Sequence, residues 1–234
     1  MKFDILTLFP EVMNDYFKQG LLGRAQRSGL IQVQAHNLRN WTDDKHQTVD
    51  DKPYGGGNGM VLKVGPIYRA VKELKGRRRK VKVVLLTPRG RVFDQKLARE
   101  YADLRQLIII SGRYEGVDER VAENIADDQV SIGPYVLMSG DLPAMIMVEV
   151  IARLQAGVAG KESWLAERQE RGGFWECPQY TRPEIFQPNN RTKWSVPKTL
   201  VKGDHRAIKK WRQEKGKLIE RGWDCVKING VMGR

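Results

Sequence analysis

The stretch LIIISGRYEGVDERVAENI, Leu107–Ile125, decides the fold. It opens on an apolar run, Leu107–Ser111, with no polar residue alternating into it, which predicts a strand buried on both faces rather than one with a wet side. A glycine-bearing turn follows, SGRYEG (Ser111–Gly116), and then a helical stretch over Asp118–Ile125. Strand, glycine turn and helix in that order form half of a strand–helix–strand unit, in which neighbouring strands run parallel.

The same grammar repeats on either side. Strand-like runs occur at Phe3–Leu8, Ile31–Ala35, Val81–Leu86 and Gln129–Ile132. Helical stretches occur at Glu11–Gln26, Pro66–Leu74 and Gln95–Tyr101, and a buried helix spans Leu142–Leu154, opening at Pro143. Alternation of this kind predicts an α/β domain with a mostly parallel sheet, covering residues 1–155. From Gln155 to Tyr180 the pattern gives way to a charged, glycine-containing stretch, which is expected to be an interdomain linker over residues 156–180. Beyond it, TRPEIFQPNNR (Thr181–Arg191) reads as irregular, and Asp204 as the N-cap of a basic helix from His205 toward Arg221. Residues 181–234 are thus expected to form a small helical C-terminal domain.

The 234 residues carry 41 Lys and Arg against 28 Asp and Glu, a formal net charge of +13. Such an excess points to a polyanionic partner, and the clusters Lys75–Lys82 and Lys209–Arg221 concentrate it; charge alone does not choose between RNA and DNA. Cys177 and Cys225 are the only cysteines and form no CxxC pair, which suggests neither a disulfide framework nor a zinc site and fits a reducing cytoplasm. No apolar run approaches the roughly 18 residues of a membrane span, so a cytoplasmic protein without membrane attachment is expected.

Three glycine-bearing turns stand where buried strands end: TPRG (Thr87–Gly90), SGRYEG and SIGPY (Ser131–Tyr135). In open parallel sheets ligands bind beyond the carboxyl ends of strands, where glycine lets the backbone approach closely. Ordinary strand-to-helix turns use many of the same glycines, so both readings stand on this pattern alone. Neither GxGxxG nor GxxxxGK[ST] occurs, which argues against dinucleotide and P-loop chemistry. The segment DDKHQTVDDKP, with Asp43, Asp44, His46, Asp50 and Asp51, offers carboxylates and one histidine but no closed ligand spacing, and reads as a solvated loop with Asx turns; no metal site is expected. His36 and His205 read as surface or capping residues.

Whole segments together carry a more specific signal. PYGGGNGM (Pro53–Met60), GRYEGVDER (Gly112–Arg120), SIGPYVLMSGDLPAM (Ser131–Met145) and CPQYTRPE (Cys177–Glu184), in this order, resemble the bacterial tRNA (guanine-N1)-methyltransferases of the knotted SPOUT class, the TrmD family. LFPE (Leu8–Glu11) and GDHRAIKKWR (Gly203–Arg212) extend the likeness over nearly the whole chain.

The resemblance implies a SPOUT-type sheet with a deep trefoil knot over about residues 84–140 and S-adenosyl-L-methionine held in the knot. Matched residue by residue, the cofactor-binding positions are Leu86, Pro88 and Gly90, then Gly112, Arg113, Tyr114, Glu115 and Gly116. Ile132, Gly133, Pro134, Tyr135, Val136 and Leu137 complete them, with Ser139, Gly140 and Pro143. It implies a homodimer with a shared active site, tRNA rather than DNA as partner, and methylation at N1 of the guanine immediately 3′ of the anticodon. A sulfonium methyl requires no metal to carry it. N1 must lose a proton as the methyl arrives, and charge develops on O6, so a carboxylate base and a cation are the useful groups. Arg153 matches the family's cation; as the arginine ending a helix it also suits the helix dipole. Arg168 stands where the family has its catalytic aspartate, and arginine cannot accept that proton. Glu167, with Glu170 as the alternative, is the expected base. Pro134 and the run Met138-Ser139-Gly140-Asp141 also depart from the family pattern. Arg206, Lys209, Lys210 and Arg212 are expected to meet tRNA phosphates. A knotted RNA-binding protein without catalysis, motivated by Arg168, and a related knotted methyltransferase acting on rRNA or a tRNA ribose remain as alternatives.

Overall fold

The computed structural model describes residues 1–159 and 175–218. The chain divides into two compact units, residues 1–162 and 163–234.

In the first unit the order is β1 (Lys2–Thr7), α1 (Pro10–Phe17), α2 (Gly20–Arg27), β2 (Gln32–Asn37), a 3-10 turn (Leu38–Trp41), β3 (Asp50–Asp51) and β4 (Val61–Leu62). Next come α3 (Val64–Lys75), β5 (Val81–Val92), α4 (Gln95–Ala102), β6 (Gln106–Ile110), α5 (Glu119–Asn124), β7 (Asp128–Ser131) and α6 (Asp141–Arg153). Five strands form one sheet in the order β2-β1-β6-β5-β7, every pair parallel. All five residues of β6 are buried, which is why its sequence shows no alternation. Its side chains still point alternately to two cores. Leu107 and Ile109 join Phe3, Ile5 and Val84 under α1, α2, α4 and α6. Ile108 and Ile110 join Leu6, Val83 and Leu85 under α3 and α5.

The single helix expected over Glu11–Gln26 is two. Gln19 is extended and Gly20 takes φ +54, so the chain turns between α1 and α2. Gly23 packs so closely that a Cβ there would stand 1.9 Å from the Lys18 carbonyl oxygen, a corner no other residue allows. The strand expected to end at Leu86 runs on to Val92, with a register shift between Leu86 and Arg91 against β7. A Cβ on Gly90 would lie 2.4 Å from the Val130 backbone nitrogen, so glycine at this register shift lets β5 approach β7 closely. Beside it Asp128 accepts hydrogen bonds from Lys82 (2.8 Å) and Tyr101 (2.9 Å) and pairs with Arg91 at 3.0 Å. Burial would raise the Asp128 pKa, but these donors outweigh it and hold the carboxyl below its ordinary value.

His36 is neither a surface residue nor a cap. Its Nε2 lies 2.7 Å from Oδ1 of the fully buried Asp4, which also pairs with Lys2 at 2.9 Å and accepts from Gln106 at 2.7 Å. Burial acts to raise the Asp4 pKa, yet the hydrogen bonds from His36, Lys2 and Gln106 bring it below the ordinary carboxylate value. A buried carboxylate in a central strand is tolerable only with such partners.

In the second unit, β8 (Trp175–Glu176) pairs antiparallel with β11 (Lys217–Leu218), and β9 (Ile185–Asn189) with β10 (Thr192–Ser195); α7 (Lys198–Val201) and α8 (His205–Lys215) lie between β10 and β11. The stretch read as irregular is therefore half hairpin. Asn189 Oδ1 accepts from the backbone of Arg191 and Thr192 at 2.9 Å each, closing the turn, and Phe186 pairs with Trp194 across the strands. Asp204 caps α8 as expected, accepting from the nitrogens of Arg206 and Ala207. The helix stops at Gly216, short of Arg221.

Candidate functional site

The carboxyl ends of β5, β6 and β7 lie side by side because the strands are parallel and adjacent, so the loops that leave them meet. Between these loops is a cavity of about 400 Å³. That is within the usual range for a small-molecule site.

From β5, Leu86 and Pro88 line it, together with Thr87 and Arg89. From the loop after β6 come Gly112, Arg113, Tyr114, Glu115 and Gly116. The long loop between β7 and α6 contributes Ile132, Tyr135, Val136, Leu137, Ser139 and Gly140, and α6 contributes Pro143. Gly90 faces β7 instead, and Gly133 and Pro134 do not line the cavity. Gly133 acts on the wall from behind: a Cβ there would stand 2.4 Å from the Tyr135 ring, whose hydroxyl reaches the Ile132 carbonyl at 3.2 Å.

The Ser111–Gly116 loop is held in an uncommon shape. Tyr114 sits at φ +58 in a turn closed by the Gly116 nitrogen donating to the Arg113 carbonyl, 3.0 Å. A non-glycine residue in this region costs energy and persists only where the surroundings fix it. Those surroundings are the YGGGNGM segment. The Glu115 nitrogen donates to Met60, Leu62 to Gly116, and Asp118 to Leu62, while a Cβ on Gly59 would meet the Glu115 side chain at 2.6 Å. The sequence offered this segment only as a motif without a task; here it props the pocket loop. Just after it, Asp118 caps α5 and forms a forked pair with Arg120, and the Arg120 hydrogen bond holds the Asp118 carboxyl below its usual pKa.

Asp141 is the residue that sequence reading missed. It begins α6, is 8 % exposed, and accepts from Thr7 Oγ1 (2.8 Å), Ser111 Oγ (2.6 Å) and Ser139 Oγ (3.2 Å), with the Arg113 guanidinium at 3.5 Å. Arg113 in turn lies over the Phe9 ring, 4.4 Å from its centre. One carboxylate thus ties the end of β1, the end of β6 and the loop before α6 together. Next to it the Gly140 nitrogen donates to the Gly112 carbonyl at 2.8 Å, an approach that a side chain would block, since a Cβ on Gly140 would lie 2.9 Å from Ser111 Cα. The signal in the sequence was an acidic residue at the start of a helix, which usually means only a favourable helix dipole.

Arg153 ends α6 and does not line this cavity. Glu167, Arg168 and Glu170 lie outside the described residues. Arg206, Lys209, Lys210 and Arg212 are exposed on α8 in the second unit, Lys210 pairing loosely with Glu214 at 3.9 Å. Among the described residues no group of three His, Cys, Asp or Glu gathers as a metal would require. In the 43–51 segment Asp44 instead binds the nitrogen and hydroxyl of Thr48. No helix among the described residues is long and apolar enough to cross a membrane.

Fold and site define an α/β protein with a ligand-sized cavity in backbone-rich loops at the carboxyl edge of a parallel sheet. Comparison with known proteins makes the class specific: the family model described as tRNA (Guanine-1)-methyltransferase TrmD matches residues 1–223, and the chain belongs to that family. It is similar to proteins named tRNA (guanine-N(1)-)-methyltransferase from Ruminiclostridium cellulolyticum (43% identity; 92% of this chain, 90% of the relative) and Dictyoglomus turgidum (45%; 92% and 84%). The protein of that name from Geobacter sp. strain M21 is 46% identical, with 92% of this chain and 84% of the relative covered.

Proposed function

We propose that this enzyme transfers a methyl group from S-adenosyl-L-methionine to N1 of the guanine immediately 3′ of the anticodon in tRNA. The observation that carries the reading is the cavity where the three loops after β5, β6 and β7 converge. Its form suits this cofactor. Leu86, Ile132, Leu137 and Pro143 give apolar wall for an adenine face, the loop backbones offer donors and acceptors for its edge and the ribose, and Glu115 adds a carboxylate that would favour a sulfonium cation. Bound there, the cofactor supplies a methyl already activated for transfer.

The chain's own residues then exclude water, orient the base and handle its proton. Glu167 is assigned to take the N1 proton and Arg153 to stabilise charge on O6. Arg153 lies 10 residues beyond the lining residue Pro143 on α6, about 15 Å at 1.5 Å per residue, which favours its serving the cavity of a second copy over that of its own chain. This supports the reading of a homodimer with a shared site. It is further supported by exposed apolar side chains on α1 and α6, Val12, Tyr16, Leu142 and Ile146, more than a monomer gains by showing to water. The close approach of Gly90 to β7 at a register shift and the hydrogen bond of Gly140 to Gly112 support the reading of a knotted path over residues 84–140. Cations on α8 supply a salt-dependent grip on tRNA phosphates.

The test is methyl transfer from labelled S-adenosyl-L-methionine to unmodified tRNA transcripts with guanine or adenine 3′ of the anticodon, followed by nucleoside analysis. 1-Methylguanosine on the guanine transcript alone is expected. A ribose-methylated product, or binding of both ligands without product, would overturn the assignment.

A further inference from the structure

The five parallel strands have a second edge, and its charge is not used by the site. β1, β5 and β6 begin at Lys2, Val81 and Gln106, so the residues just before them gather on the side of the sheet opposite the cavity. There the loop KGRRRK (Lys75–Lys80) joins α3 to β5. It is pinned: the Lys80 carbonyl accepts from the nitrogens of Arg105 (3.0 Å) and Gln106 (3.4 Å), the Arg105 carbonyl accepts from the Lys2 nitrogen (2.9 Å), and Arg78 bonds the Leu74 carbonyl that ends α3. The loop is therefore a fixed surface.

Its cations divide into two groups. Lys75 pairs with Asp127, Lys82 with Asp128 and Lys2 with the buried Asp4, while Glu73 accepts from the Trp41 indole nitrogen. Arg77, Arg79, Lys80 and Arg105 are exposed, and among the described residues none has a carboxylate within ion-pair distance. Four unpaired cations held together by backbone bonds repel one another and gain only when a polyanion arrives. The spacing sets which one. β5 from Val81 to Leu86 spans about 17 Å at 3.3 Å per residue, so a ligand seated in the cavity cannot touch this edge. A nucleic acid whose loop enters the cavity reaches it only with another part of its length.

We infer that the Arg77–Arg79–Lys80–Arg105 edge is a second phosphate-binding surface that holds the body of the tRNA beyond its anticodon arm. This rests on the tRNA reading above and adds a contact that the catalytic face does not require. Phosphate contacts position without reading sequence, so the surface contributes affinity and orientation, not base choice.

The test is the triple variant Arg77→Gln, Arg79→Gln, Arg105→Gln beside its charge-preserving counterpart with lysine at the same positions, in the full-length protein. Lys80, whose carbonyl holds the Arg105 and Gln106 nitrogens, is left intact. Binding and methylation are measured on full-length tRNA and on an anticodon stem-loop, from 50 to 200 mM salt. For the glutamine variant, KM for full-length tRNA should rise several-fold at low salt with kcat unchanged. The log–log salt slope should flatten by about 2 to 3, as expected for up to three lost phosphate contacts. The stem-loop should be handled as by the unaltered protein, and the lysine variant should recover full-length binding. Unchanged binding and slope on full-length tRNA overturns the inference, as does equal weakening on the stem-loop. If the unaltered protein forms no 1-methylguanosine, the functional reading fails instead, and tRNA binding by the two variants still decides the surface.

Discussion

Replacing Asp141 tests the claim that one carboxylate holds the pocket loops. In Asp141→Ala the hydroxyl protons of Thr7 and Ser111, residues 2 % and 5 % exposed, lose their acceptor inside the protein. Each buried group left unsatisfied costs about 1–3 kcal/mol, and loss of the acidic residue from the first turn of α6 adds about 0.3–1 kcal/mol. The sum is about 2–7 kcal/mol, a large part of an ordinary domain's stability. Asp141→Asn keeps an acceptor for the two hydroxyls but turns an amide toward Ser139 and Arg113, so it should cost only about 1–2 kcal/mol. Urea unfolding followed by circular dichroism gives both values, with unchanged m required for the comparison. Calorimetric titration with S-adenosyl-L-methionine should show at least a tenfold loss for the alanine variant, since the Gly112 and Gly140 loops are anchored through the same carboxylate. The reasoning is refuted if Asp141→Ala lies within about 1 kcal/mol of the unaltered protein, or if asparagine and alanine are equally destabilising.

Gly90→Ala should yield little soluble protein or lose at least about 3 kcal/mol, because its Cβ would stand 2.4 Å from a backbone nitrogen of β7 that cannot yield; denaturation midpoints decide it. Gly140→Ala, with a Cβ 2.9 Å from Ser111 Cα, should cost cofactor affinity more than stability, and the opposite order would show that the approach serves packing alone. Asp4 has a folded-state pKa below its unfolded value of about 3.9, so its stabilisation is complete above that value and disappears as pH falls through the folded one. Melting temperatures of the unaltered protein and Asp4→Asn should therefore converge between pH 5 and pH 2 or so, and a constant gap would contradict the assigned network. Glu167→Gln should cut single-turnover methylation by about 10²-fold or more, and full activity would pass the role of base to Glu170.

The alternation of apolar runs and amphipathic stretches fixed what is local or periodic. The buried strand β6, the helices after each strand and the Asp204 cap were legible because burial on two faces and capping leave their mark within a few residues. The break between α1 and α2 was not, since a polar Gln19-Gly20 pair is compatible with a surface helix until the corner at Gly23 meets Lys18. Motif order named the loops that line the cavity but not their separate tasks. Gly90 and Gly112 look alike in sequence, and only the pairing of β5 with β7 shows that the first is used for packing while the second lines the cavity. Asp141 and Ser111 are 30 positions apart, and Asp141 and Thr7 are 134 apart. Their hydrogen bonds depend on β1 and β6 being neighbours in the sheet, and sheet order is set by the burial of every strand at once. The sequence by itself therefore determined the class of fold, the charge and the family; the tertiary structure alone decided which distant residues share a proton, and which edge of the sheet, opposite the cavity, carries the unpaired cations.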